Sequence, residues 1–548
     1  MDNQAYIIDC EHNRGKRLEE EKCKPLPHNF EEAITLTGVG WFHYKLLLIC
    51  GLCFMAVMVE IMGVSLIMNQ MECDLKPTLE QQGILASAGF LGVVLSSHAM
   101  GFLADTWGRV VTLRYAVVLS VICSTISGFS VNIWMLIVFR FMTGFFISGC
   151  QACVFSLCGE FHGNGSRVRH VTLLSGFMCV AMMFAPSMAI GILPLQIHMF
   201  GMHISSWRIL LIGDVSVSVL ALVGLFIIPE TPKYDLIQGK DELALETMRK
   251  MFAQNTGRPS SEFPVHRLIL QSGKSGASLS NVHGFCDAVR LIWSQTVPLF
   301  YRSRVFHTLN ICLIQFLIYG MAQGIFMWFP TILDVMGSRE NGDSLMCTVL
   351  QSLPPANTTD VVGMEHEEIC HIDVDVSTYE LMVTIGGCFT VIFVIFAYTI
   401  DYIGKRNLIM GWMALTIISL VALHWVQIFV LVVICLTVTM AIGNCGGLVS
   451  TVAMEFYPTN INAMGMCFIM MVGRLGAVVG SNVLGRLFFS NCDTVLWALL
   501  ALVILMSVMA FFLPEQRRKL SSLSTELPVS AAVTAPTTPI LSVLSSSK

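Results

Sequence analysis

The chain has 548 residues, of which 55% are hydrophobic and 13% charged, with a formal net charge of −5. An ordinary soluble domain carries roughly 25% charged residues, so this composition excludes a water-soluble globule. The basic residues are scattered rather than gathered on one face, which leaves no nucleic-acid footprint. Apolar runs of about 20 residues match the length an α-helix needs to cross a ~30 Å hydrocarbon core. The class is an all-α protein embedded in the lipid bilayer.

Residues 1–45 form a polar amino-terminal segment with Arg14, Lys16, Arg17, Lys22 and Lys24. They lack the charged-then-apolar pattern of a cleavable signal peptide, so this end is expected in the cytosol. Apolar runs and their breakers predict helices near 46–68, 81–104, 111–130, 133–157, 171–195, 206–228, 306–333, 378–400, 406–425, 427–452, 463–486 and 493–514. This gives a six-helix bundle over 46–228, a central loop over 229–305 and a second six-helix bundle over 306–514. Of 32 Lys and Arg residues, ten lie between Lys233 and Arg304, while the outer loops receive only Lys76, Arg208 and Arg339. Because basic residues accumulate in cytosolic loops, both termini are expected on the cytosolic side of a plasma or vesicle membrane. Residues 515–548 make a Ser/Thr/Pro/Val-rich tail with no helical periodicity, expected to be disordered.

The outer loop 334–377 holds Cys347, Cys370 and the sequon Asn357-Thr358-Thr359. A glycan and a disulfide both belong to an extracellular or lumenal environment, which agrees with the charge count. The expectation is a glycan on Asn357 and a Cys347–Cys370 bond, the alternative being two free loop thiols. Asn164-Gly165-Ser166 also matches the sequon but falls on the cytosolic side. Most of the 19 cysteines lie inside apolar segments, where a thiol acts as a small hydrophobe.

Short charged motifs repeat between the halves. Gly101-Phe102-Leu103-Ala104-Asp105-Thr106-Trp107-Gly108-Arg109 follows the second helix, and Asp401-Tyr402-Ile403-Gly404-Lys405-Arg406 follows the eighth, so Asp105 and Asp401 are 296 positions apart. Glu160 and Glu455, at the ends of the fourth and tenth helices, are 295 apart. Even Pro229-Glu230 has a counterpart in Pro514-Glu515. Nearly equal offsets for unrelated motifs point to two parallel repeats.

With Arg140-Phe141-x-x-Gly144, Arg167 after Glu160, and Pro229-Glu230-Thr231-Pro232-Lys233, these motifs resemble the sugar-porter and organic-ion branch of the major facilitator superfamily. Within it, Phe30-Glu31-Glu32-Ala33-Ile34, Thr37-Gly38-Val39-Gly40-Trp41-Phe42-His43-Tyr44 and Trp328-Phe329-Pro330 are similar to the synaptic vesicle glycoprotein 2-like family. The resemblance covers nearly all of residues 30 to 516 and implies twelve transmembrane helices in two pseudo-symmetric bundles. It also implies a charged latch on the cytosolic side, built from Asp105, Gly108, Arg109, Glu160 and Arg167 in the first half. Asp401, Gly404, Lys405, Arg406 and Glu455 are the counterparts in the second. Plain loop charge that satisfies topology is the alternative. The link after Glu455 departs from the family, because Asn462 stands where a basic residue is usual; either the latch of the second half is weaker, or Arg474 or Lys405 supplies the cation.

Charges inside spanning helices are costly and face a cavity or a partner. Glu60 in the first helix is read as a substrate or proton site, or as a carboxylate pinned between helices. The family's additional acid three residues earlier is Val57 here. Asp214 in the sixth helix reads as structural. Arg140 reads as an interhelical bond near the outer gate, and Arg474 as a gate partner on the cytosolic side. On the seventh helix, Tyr319, Gln323 and Trp328 read as a lining for a small organic solute, or, for the aromatics, as interfacial anchors. No nucleotide-binding loop and no catalytic set is recognisable, so no enzyme activity and no cofactor are expected. The function read from this is a secondary transporter moving a small organic solute by alternating access, with a proton or sodium as coupling ion. The alternative is a non-transporting membrane regulator or receptor that keeps the fold.

Overall fold

The computed structural model describes residues 28–195, 197–199, 202–269, 296–302, 304–337, 345–351, 376–457 and 462–513. Asn357, Cys370 and the tail from residue 514 lie outside the described residues, as do residues 458–461 just before Asn462.

Long apolar runs with their breakers at the ends give the spans. The first is Trp41–Ile67, the second Leu79–Trp107, the third Arg109–Gly128 and the fourth Ile133–Glu160. The fifth joins Asn164–Ser175 to Phe177–Ile192, and the sixth is Ser206–Ile227. After a central segment come Val305–Gly337, Val376–Ile403, Lys405–Ala422, and a tenth span made of Phe429–Met440 and Gly443–Phe456. Eleven helices among the described residues are long and apolar enough to cross a membrane. The last of these runs over the 44 residues Phe468–Phe511, roughly 66 Å at 1.5 Å per residue and twice the bilayer core. Asn491, with φ −146° and ψ 62°, breaks it into two spans. Among the described residues the total is twelve, six on either side of the central segment.

The first span begins at Trp41 rather than near residue 46. The central segment explains the extra turn: its helix Asp241–Thr256 brings Asn255 beneath the start of the span. The Phe42 amide donates to Asn255 Oδ1 at 3.1 Å, and Asn255 Nδ2 donates to the carbonyls of Thr37 and Gly38, both at 3.1 Å. Otherwise unpaired groups at the helix start are thus satisfied.

The second and third spans part at Gly108, whose φ of 105° is a conformation that favours glycine. Gly404, 296 positions later, has φ 85° and the same ψ of 151°. The internal repeat is therefore present in the backbone and not only in the letters.

We call the side holding Gly108, Gly404 and the central helices the motif face. The opposite side carries a disulfide between Cys347 and Cys492, with Cα atoms 5.2 Å apart. This corrects the expected Cys347–Cys370 pairing. The break at Asn491 puts Cys492 at the tip between the last two spans, where the short helix Met346–Gln351 packs against it.

The halves meet on the disulfide face and at mid-height. Asn69 Nδ2 donates to Asp334 Oδ2 at 3.0 Å, Thr331 donates to Asn69 Oδ1 at 2.8 Å, and Tyr379 donates to the Leu66 carbonyl at 3.2 Å. Arg486 pairs with Glu80 at 2.8 Å. Deeper in, Arg474 of the eleventh span donates to Ser97 of the second at 2.8 Å.

Candidate functional site

Three ionisable side chains are buried together inside the first half. Glu60 on the first span and Arg140 on the fourth are 3% and 2% exposed, and their charged atoms lie 3.1 Å apart. The third span contributes Ser124 and Ser127, one helical turn apart and so on one face. Ser124 donates to Glu60 Oε2 at 2.6 Å. Arg140 donates to the Ser124 hydroxyl at 2.9 Å and to the Ser127 hydroxyl. Asp214 on the sixth span completes the group. Its carboxylate stands so close to Gly63, one turn beyond Glu60, that a Cβ there would lie 2.3 Å from Oδ2. Both Asp214 oxygens and Glu60 Oε1 have no hydrogen-bond partner among the described residues.

One guanidinium thus faces two carboxyl groups in a buried site, beside a cavity of about 10 Å³ that Glu60 and Arg140 line. Unpaired buried charge is costly enough that such groups are neutralised rather than left ionised. The arrangement is chemically suited to holding one exchangeable proton. Sequence reasoning singled out Glu60 and Arg140 but treated them separately, and it read Asp214 as structural. Ser124 and Ser127 were missed, although small hydroxyls at a one-turn spacing in an apolar helix were the available signal.

At the motif face, Arg109 bridges Asp105 and Glu160, each at 3.1 Å. This joins the end of the second span and the start of the third to the end of the fourth. Arg167 reaches both the end of the fourth span and the amino-terminal segment. Its Nε donates to the Gly159 carbonyl at 2.9 Å, capping the fourth span, and its Nη2 pairs with Glu31 at 3.0 Å. Glu230 was quoted in a motif but given no role. Its carboxylate accepts from the amides of Val110, at 3.1 Å, and Val111, at 3.2 Å, and so caps the third span. An anion there complements the helix dipole. Gly108 is required for this approach as well as for its φ, since a Cβ would sit 2.5 Å from Glu230 Oε2.

In the second half, Lys405 opens the ninth span and the Arg406 guanidinium stacks 4.4 Å above the Phe511 ring. Asp401 and Glu455 lie at the motif-face ends of the eighth and tenth spans, with side chains outside the described residues.

Three histidines also meet beneath the motif face, unremarked in the sequence. The His43 and His162 ring centroids are 4.5 Å apart, and those of His162 and His170 are 4.1 Å apart. His162 Nδ1 bonds to the Cys158 carbonyl at 2.6 Å, while Nε2 has no hydrogen-bond partner among the described residues. Burial pushes the His162 pKa down to about 3, with the neighbouring His43, His170 and Arg167 acting in the same direction.

Between the halves lies a chamber bounded by the first, fifth, seventh, eighth and tenth spans, with room for about 10 Å³, no more than one water. Phe326 and Phe329 line it from the seventh span. Trp328 does not. Its indole donates to the Ser481 carbonyl at 2.8 Å and packs on Gly485 and Phe489 inside the second half, because a buried N–H needs an acceptor. Tyr319 packs against Gly446 and Gly473, also within the second half, while the half-buried Gln323 is absent from the chamber lining.

Twelve spans in two sixes, with charge buried between helices and a repeated glycine turn at one face, define a polytopic membrane transport fold. The chain belongs to the Major Facilitator Superfamily, whose family model matches residues 48–481. That family is one of membrane transport proteins. Over 294 residues it is 27% identical to the Synaptic vesicle 2-related protein of Xenopus laevis, covering 53% of this chain and 51% of that protein. Over 343 residues it is 25% identical to Synaptic vesicle glycoprotein 2B of Mus musculus, covering 60% and 50%. The chain thus spans about half the length of these curated relatives. Among solved structures, the partially occluded inward-open xylose transporter XylE from E. coli superposes with a TM-score of 0.60 at 13% identity, covering 86% of this chain and 98% of that one. A D-xylose-proton symporter gives 0.59 at 11%, covering 86% and 97%. At these identities the likeness is one of fold.

Proposed function

We propose that the protein is a proton-coupled secondary transporter of a small organic solute, working by alternating access. Residues 46–228 rock against 306–514, and the motif face with both termini lies in the cytosol. The observation that carries this reading is the buried set Glu60, Arg140 and Asp214, two acids and one base drawn from three spans. A proton on one acid leaves a neutral site. Its loss leaves a net charge that opposes closure around a dry interior, so protonation and conformation are linked. Glu60 and Asp214 carry the proton, Arg140 orients them, and Ser124 and Ser127 hold Arg140.

The ten basic residues from Lys233 to Arg304 belong to the segment between the sixth and seventh spans, whose helix Asp241–Thr256 lies at the motif face, and this supports the cytosolic assignment. Asp105, Arg109 and Glu160 act as the latch that tightens or loosens that face. The choice of a proton over sodium rests on the two buried carboxyl groups, Glu60 and Asp214, which can exchange one. The names of the synaptic vesicle relatives favour a vesicle or plasma membrane.

The test uses the purified protein in liposomes loaded with a pH-sensitive dye. A pooled panel of organic cations, anions, nucleotides, sugars and uncharged aromatic molecules is added under an imposed proton gradient. Solute-dependent proton entry that is lost in Glu60→Gln supports the reading. No solute-dependent proton movement by well-folded protein moves the assignment to a regulator or receptor that keeps the fold.

A further inference from the structure

The chamber between the halves has a chemistry of its own. Met62 comes from the first span, Met182 from the fifth, Met382 from the eighth and Met440 from the tenth, with Phe326 and Phe329 from the seventh. Four thioethers from four different spans meet two aromatic rings. The lining includes one side-chain polar group, the Ser65 hydroxyl, which already donates to the Met62 carbonyl at 2.7 Å. Among the described residues, no carboxylate, amide or basic side chain bounds the space.

We propose that the solute this chamber receives is an uncharged, largely apolar organic molecule, not a sugar. The inference rests on the alternating-access reading, in which a closed chamber between the halves receives the solute. A sugar brings hydroxyl groups that each need a partner, and burying them here would leave them unsatisfied. A charged solute would be taken from water with no counter-charge on the wall. Methionine is unbranched and polarizable, and its rotamers re-pack around irregular apolar shapes. That property also accounts for the small closed volume: the thioethers collapse into the space and withdraw when a solute enters.

Binding tests this without requiring turnover. Full-length protein in lipid nanodiscs is titrated with tritiated 1-naphthol and, separately, with tritiated D-xylose, subtracting uptake by empty nanodiscs. The expected result is saturable binding of 1-naphthol, with none for D-xylose. The double variant Met62→Gln, Met382→Gln keeps the side-chain length but adds two amides, and should weaken 1-naphthol binding by roughly tenfold or more. Met62→Leu, Met382→Leu should retain it, and separates an effect on the site from a failure to fold. Saturable D-xylose binding, absent 1-naphthol binding, or binding indifferent to the glutamines overturns the proposal. Binding of 1-naphthol without its movement into liposomes would instead overturn alternating access and leave the chamber assignment standing.

Discussion

Arg140 holds Glu60 at 3.1 Å across the first and fourth spans, in a place where both side chains are almost fully buried. Removing Arg140 takes away the guanidinium that faces Glu60, whereas removing Glu60 leaves Arg140 beside Asp214. Arg140→Met is expected to destabilise the protein by about 3–5 kcal/mol, because a buried carboxyl group loses the guanidinium 3.1 Å from it. The double variant Arg140→Met, Glu60→Met should recover most of that loss. Thermal unfolding in nanodiscs checks this, and equal losses in the single and double variants would show that the pair is not coupled.

Gly63 offers a separate handle on the same site. A methyl group there would lie 2.3 Å from Asp214 Oδ2 and must push the carboxyl group or the sixth span away. Gly63→Ala is expected to cost about 1–3 kcal/mol through overpacking and to reduce proton movement in the liposome assay. Gly191→Ala, where a Cβ would meet nothing within 4 Å, is the control.

At the motif face, the Glu230 carboxylate caps the third span and fits only because residue 108 is glycine. Glu230→Ala should remove about 1–2 kcal/mol of stability by leaving two amides without their acceptor. Limited proteolysis should then cut the segment around Pro229 to Lys240 faster than in the parent. Gly108→Ala should produce the same digestion pattern, since it displaces the same carboxylate.

His162 predicts a pH dependence. Its folded-state pKa is lowered from 6.5 to about 3, so below pH 6.5 the unfolded chain binds a proton that the folded one does not. Stability from this residue is therefore intact above pH 6.5 and falls as pH drops from there toward 3. The melting temperature between pH 7 and pH 5 should decline less steeply in His162→Gln than in the parent. Identical slopes would show that His162 does not report on this packing.

The disulfide is checked by peptide mapping. Without reductant, the peptides holding Cys347 and Cys492 should travel together and separate on reduction. In Cys492→Ser, Cys347 should become reactive to a thiol reagent.

The sequence determined the membrane class, the two sets of six helices and their repeat, because apolar length and the spacing of Asp105, Asp401, Glu160 and Glu455 are properties of the chain read in one dimension. It also marked Glu60 and Arg140, since charge inside an apolar run stands out without any structure. Only the tertiary structure decided that these two meet each other and Asp214, 74 positions beyond Arg140, and that Ser124 and Ser127 hold them. It turned Trp328 into the second half while its neighbours Phe326 and Phe329 line the chamber, and it paired Cys347 with Cys492 rather than with a loop neighbour. The physical reason is common to all of these. A helix fixes which residues share a face within itself, but packing decides which face meets which, and buried charge, indole N–H groups and thiols take their partners from whichever helix that packing brings within reach.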